Sequence, residues 1–137
     1  MRNFLGVLLG CTLAMAGAVR ADVQQCKMNI GKITQGDMIA VDIYLMYDDA
    51  TKTLQVLDNI ISYYNKEQPV QAKITADKVA SRTFDWALFM VNSAGQRTKM
   101  QYHATLFHAK KEIHVLARPV GFNNTFSSVG KCTPYSG

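Results

Sequence analysis

The chain has 137 residues, 48% hydrophobic and 18% charged, with 15 Lys and Arg against 10 Asp and Glu, a net charge of +5. That length fits one domain, and the apolar content suffices for a core. An intrinsically disordered chain, a collagen-like repeat and, with only 3 Cys, a disulfide-dense miniprotein are excluded.

Residues 1–21 read as an export leader. Met1-Arg2-Asn3 gives a short positive start, residues 4–18 are an uncharged and mostly apolar run, and Val19-Arg20-Ala21 follows. A charged start, a short apolar stretch and small residues before a cut describe a secretory signal. The run falls short of the roughly 20 residues that span a bilayer. The cut is expected after Ala21, with Ala18 the second candidate, and Cys11 is then discarded with the leader. The remaining 116 residues, taken as a single domain over 22–137, carry +3, because Arg2 and Arg20 leave with the leader. Residues 22–77 hold 5 basic and 8 acidic groups, and residues 78–137 hold 8 and 2. This asymmetry reads mainly as a solvated surface, although it could steer an anionic partner. Export argues against a nucleic-acid partner, and no stable membrane insertion is expected once the leader is gone.

Cys26 and Cys132 are the two cysteines that survive, one near each end. In an oxidising compartment such a pair reads as a disulfide with only one possible connectivity.

Strands follow in chain order. In 38–47 the odd positions Ile39, Val41, Ile43, Leu45 and Tyr47 are all apolar, the period of two that marks a strand. A polar turn at 48–52 leads to a second strand over 53–64, broken at 65–69. A short strand over 70–75 is followed by a connection at 76–81 with room for one helical turn. The next strand, 82–91, places Phe84, Trp86, Leu88 and Met90 on one face, and Asn92-Ser93-Ala94-Gly95 turns the chain. Residues 96–108 and 112–118 then form a hairpin around Lys110-Lys111. No window of eleven or more residues shows a clear 3.6-residue apolar period, so helix is expected to be minor.

About seven or eight antiparallel strands joined by tight turns predict an all-β meander closed into a barrel, with a two-sheet sandwich as the alternative. Closure removes exposed edges and suits a bridge between the two ends of the chain.

If Ala109 faces Glu112, the hairpin places Met100, Tyr102, Ala104, Leu106, His108, Ile113, Val115 and Ala117 on one face. His103, Thr105, Phe107, His114, Leu116 and Arg118 then fall on the other. His103 opposes Arg118 in that register, about 13 Å along from His114 at roughly 3.3 Å per residue. This is too far for two nitrogens to share a metal. No nucleophile, zinc or phosphate-loop motif occurs, so no catalytic residue, cofactor or metal is assigned. The one carboxylate pair that the first hairpin could bring together is Asp42 and Asp58.

Two features invite a binding reading. Tyr44, Trp86, Met90 and Tyr102 are candidates for the wall of a ligand site, since a small closed barrel can leave room for one ligand. The loop 118–126, with Arg118, Phe122 and Phe126, is a candidate partner contact, because exposed aromatics tend to carry interface energy. Phe122 and Phe126 could equally fold back as plugs on the barrel end. Asn123-Asn124-Thr125 has the form of a glycosylation acceptor. In length, leader and single-bridge layout the chain is similar to small exported β-proteins of Gram-negative bacteria, periplasmic lysozyme inhibitors among them, though it lacks a matching inhibitory loop. The expected function is an exported, soluble, non-catalytic binding protein that holds a small apolar or amphipathic ligand. The alternative is a protein–protein module such as an inhibitor of an envelope or extracellular enzyme.

Overall fold

The computed structural model describes residues 22–29 and 38–136; the leader and Cys11 lie outside them. Eight antiparallel strands in sequence order close into a barrel. They are β1 (Asp22–Asn29), β2 (Asp42–Asp48), β3 (Thr53–Asp58), β4 (Val70–Asp77), β5 (Ser81–Val91), β6 (Arg97–Phe107), β7 (Glu112–Pro119) and β8 (Phe126–Pro134). Among the described residues one short helix, α1 (Asn59–Tyr64), lies between β3 and β4.

Closure is made where β1 meets β8. Cys26 is the register partner of Cys132 there, and the two sulfurs are bonded at 2.04 Å. Two residues from Cys132, Gly130 sits against Met28. A Cβ at position 130 would lie 2.6 Å from the Lys27 carbonyl oxygen, so a side chain there would force the seam strands apart.

The inward faces follow from the period of two. Along β5, Phe84, Trp86, Leu88 and Met90 are buried while Ala87, Phe89 and Val91 are exposed. The pairing of β5, β6 and β7 stacks them in rows: Phe84 with Ala104 and Val115, Trp86 with Tyr102 and Ala117, and Leu88 with Met100 and Pro119. Burying a side chain such as Phe84 contributes about 1.5–3 kcal/mol relative to leaving it in water.

Four expectations need correction. The strand expected over 38–47 begins only at Asp42, and Val41 ahead of it is exposed. The stretch 53–64 is not one strand: β3 stops at Asp58, whose carboxylate accepts a 2.7 Å hydrogen bond from the Ile61 amide and caps α1. Asp is a strong helix N-cap, and Leu57, Ile60, Ile61 and Tyr64 repeat at helical spacing and pack on the core. The connection at 76–81 is shorter than expected. β4 runs to Asp77 with a bulge between Ile74 and Ala76, and β5 begins at Ser81.

The β6–β7 hairpin pairs Phe107 with Glu112, a turn two residues longer than an Ala109–Glu112 pair would leave. The common two-residue hairpin turns need positive φ at the first or at both central residues, which Lys110-Lys111 resist. The four-residue turn that forms demands it only of Lys111, at φ 50°. The shift is even, so every side chain keeps its predicted face, but His103 now opposes Leu116.

Candidate functional site

The lumen is occupied by stacked aromatic rings. Phe84 and Trp86 have centroids 5.8 Å apart, and Trp86 and Tyr102 lie parallel at 5.0 Å. The Tyr102 hydroxyl donates to the Met38 carbonyl oxygen at 2.8 Å, which ties the barrel wall to the segment entering β2. Burial pushes the Tyr102 pKa well above its ordinary value, so the hydroxyl remains a donor. The buried indole Nε1 of Trp86 has no hydrogen-bond partner among the described residues.

The predicted ligand wall is therefore divided. Trp86, Met90 and Tyr102 face inward, but Tyr44 does not. It lies on the outer face of β2, half-buried, with its ring edge-on to Tyr135 at 5.1 Å. In β2 the inward positions are Ile43 and Leu45, so Tyr44 points away by the alternation of the strand.

One end of the barrel opens into an apolar cleft of about 330 Å³. Met90 and Met100 form its floor from β5 and β6, with Met38, Tyr64, Phe122 and Phe126 around them. Asn92, Gln96 and Asn124 supply polar atoms at its edge. The elements that frame it follow from local chemistry. The capped helix brings Tyr64 there. In the turn 119–122, Gly121 adopts φ 88° and the Phe122 amide donates to the Pro119 carbonyl oxygen at 3.3 Å. Glycine at the third position of such a turn is what its positive φ requires. The predicted loop residues separate. Phe126 opens β8 opposite Ala117 and packs half-buried on the core as a plug. Phe122 stays 61% exposed, and Arg118 lies on the outer wall of β7.

Asp42 and Asp58 do not meet in a common cleft. Asp58 shares the inward face with its register partner Ile43, whereas Asp42, the next residue along, points outward and accepts from the Gln25 amide at 3.2 Å. Burial raises the Asp58 pKa above the ordinary aspartate value, against the backbone amides of Ile61 and Ile60 that lower it.

The two strand histidines each have their own carboxylate. His103 Nδ1 is paired with Asp85, and His114 Nε2 with Glu112 at 2.8 Å. The hydrogen bonds from His114 and Lys131 hold the Glu112 carboxyl below its usual range. Among the described residues no cluster of three or more His, Cys, Asp or Glu is placed to hold a metal ion.

Sequence alone does not single out Met38 as part of the cleft, and it gives Tyr64 and Met100 only as large side chains on strand faces. The signal that could have found Tyr64 is the helical spacing of residues 57, 60, 61 and 64. The chain matches no protein-family model, no curated protein and no solved structure.

Proposed function

We propose that this is an exported, non-catalytic binding protein that takes a small apolar or amphipathic ligand at the open end of its barrel. The observation that carries this reading is the apolar cleft of about 330 Å³ over Met90 and Met100. Its size lies at the lower end of the roughly 300–1,000 Å³ of ligand sites, and barrel mouths are a common place for them. Methionine side chains adapt to apolar ligands of different shape, and the amides of Asn92, Gln96 and Asn124 suit a polar head group. The stacked rings below favour a ligand seated at the mouth over one enclosed in the lumen. The leader-like residues 1–21 and the Cys26–Cys132 bond support export, since such bonds persist in oxidising compartments. Described helices include none long and apolar enough to cross a membrane.

Titration with decanol and decanoate, followed by Trp86 fluorescence and native mass spectrometry, tests the reading. Saturable binding is expected, weakened about tenfold or more by Met90→Gln and unchanged by Tyr44→Ala. No saturable response to either probe, or equal weakening by both variants, contradicts it.

The second reading, a module that inhibits an envelope or extracellular enzyme, is favoured by the exposure of Phe122 beside the cleft. Capture of a partner from envelope extract that is lost in Phe122→Ala/Arg118→Ala would support it. Capture unaffected by that double variant would discard this loop as the contact.

A further inference from the structure

We propose that the outer wall of β4–β7 is a docking site for an extended acidic peptide segment, a second site that does not depend on what occupies the barrel mouth. A cleft of about 520 Å³ lies on this outer face. The sheet register builds it in two rows. Lys73, Asp85, His103 and Leu116 are successive cross-strand partners, and beside them Gln101 pairs with Arg118. Gln71, Ala87 and the strand positions of Trp86 and Tyr102 complete the lining.

The charge at this wall is one-sided. Lys73 and Arg118 have no ion-pair partner among the described residues. Arg97 and Lys99 lie on the same outer face toward the barrel mouth, over the ring of Phe89 at 4.0 and 5.8 Å. Asp85 is the acid within the cleft lining, and it is engaged by His103. The other acids of β4–β7 are Asp77, paired with Arg82, and Glu112, which already accepts from His114 and Lys131.

The spacing of the cations selects the shape of the occupant. Lys73 on β4 and Arg118 on β7 are three strand spacings apart across the sheet and two residues apart along it, about 16 Å at roughly 4.8 Å per spacing and 3.3 Å per residue. A single phosphate or acetate is too small to reach both. An extended peptide advances about 3.3 Å per residue, so two acidic side chains about four to five residues apart would match the two cations.

The lining between them suits a peptide backbone. The Gln71 and Gln101 amides can each donate and accept, as a backbone requires. A carboxylate can only accept, so in this hydrogen bond His103 Nδ1 donates to Asp85, which holds the ring in place beside the segment. Ala87 and Leu116 give apolar contact for the segment.

The test is fluorescence anisotropy of a rhodamine-labelled octapeptide of alternating Glu and Ser, with its Gln counterpart and a heparin hexasaccharide as comparisons. Two double variants are compared: Lys73→Gln/Arg118→Gln in the wall, and Lys110→Gln/Lys111→Gln, which removes the same charge from the distant β6–β7 turn. The Glu peptide is expected to bind saturably, the wall variant to raise its dissociation constant about tenfold or more, and the turn variant to change it less than about twofold. Added salt should weaken this binding by screening. Equal weakening by both double variants, equally tight binding of the Gln peptide, or a heparin fragment that needs Lys73 and Arg118 while the Glu peptide fails to bind would each overturn the proposal.

Discussion

At one end of the barrel β2 and β3, β4 and β5, and β6 and β7 are joined by three or four residues each, 49–52, 78–80 and 108–111. At the other end the connections are longer: 59–69 with α1, 92–96, and 120–125. The cleft of about 120 Å³ at the tightly turned end, lined by Leu106, His108 and Cys132 among others, contrasts with the apolar cleft of about 330 Å³ at the other. Short turns fix register and leave little backbone to shape a site. Longer connections can carry side chains such as Tyr64 and Phe122 around an opening, and binding residues concentrate on such segments held by a rigid scaffold.

The contrast can be broken or sharpened by mutation. The largest effect on stability is expected at the seam. The Cys26–Cys132 bond closes a sequence separation of 106 residues, so the chain-entropy model assigns it about 4–5 kcal/mol. Cys26→Ser/Cys132→Ser should lower the denaturant midpoint accordingly; an unchanged midpoint would show that the strand pairing alone holds the seam.

Next comes a comparison of two phenylalanines. Phe84, fully buried in the lumen, should cost about 3–5 kcal/mol on Phe84→Ala, whereas Phe122→Ala should stay within about 0.5 kcal/mol. A Phe122 variant as damaging as the Phe84 one would mean that the mouth loop is part of the core.

Asp58 gives a smaller, pH-dependent effect. Asp58→Ala removes the cap of α1 and should cost about 1 kcal/mol, while Asp58→Asn keeps a capping oxygen and should cost less. Burial raises the folded-state pKa of Asp58, so between the ordinary aspartate value and that raised value the folded state binds more protons than the unfolded one. The wild type should therefore gain stability relative to Asp58→Asn as pH falls through that window, and lose it as pH rises. Denaturant midpoints of both proteins across mildly acidic pH check the sign.

The smallest effect is expected for Glu112 at the tightly turned end. Its folded pKa is lowered by His114 and Lys131, so its contribution is present above the ordinary glutamate value and lost as pH falls through the lowered one. Both bonds are exposed, so Glu112→Gln should shift the midpoint only slightly at neutral pH, with no difference from wild type at strongly acidic pH.

Much of this architecture was legible in the sequence because strand alternation is a strong local signal. Phe84, Trp86, Leu88 and Met90 face inward as their spacing predicts, and two cysteines near the chain ends allow one bridge. The failures came where a short-range choice depends on a single residue. Val, Ile and Tyr in 53–64 have strand propensity, and Asp58 overrides it by capping a helix. Lys52, Lys66, Glu67 and Lys111 adopt positive φ without being glycine, so the turns they close carry little signature. The mouth was not legible because Met38, Tyr64, Met90 and Phe126 come from distant parts of the chain and converge only on closure. Tyr44 was misplaced for the opposite reason. Its size suggests a wall residue, but its even position beside inward Ile43 and Leu45 sets its direction outward.

The central claim, that the open end is the binding end, is tested most directly by the NMR signals of labelled methionine methyls during decanol titration. Met38, Met90 and Met100 surround the cleft, and Met46 lies on β2 between outer-face neighbours away from it. Saturable shifts of the first three with Met46 unmoved are predicted. Shifts that include Met46 equally, or no shift at Met90 and Met100 when decanol is bound, would contradict the assignment of the mouth.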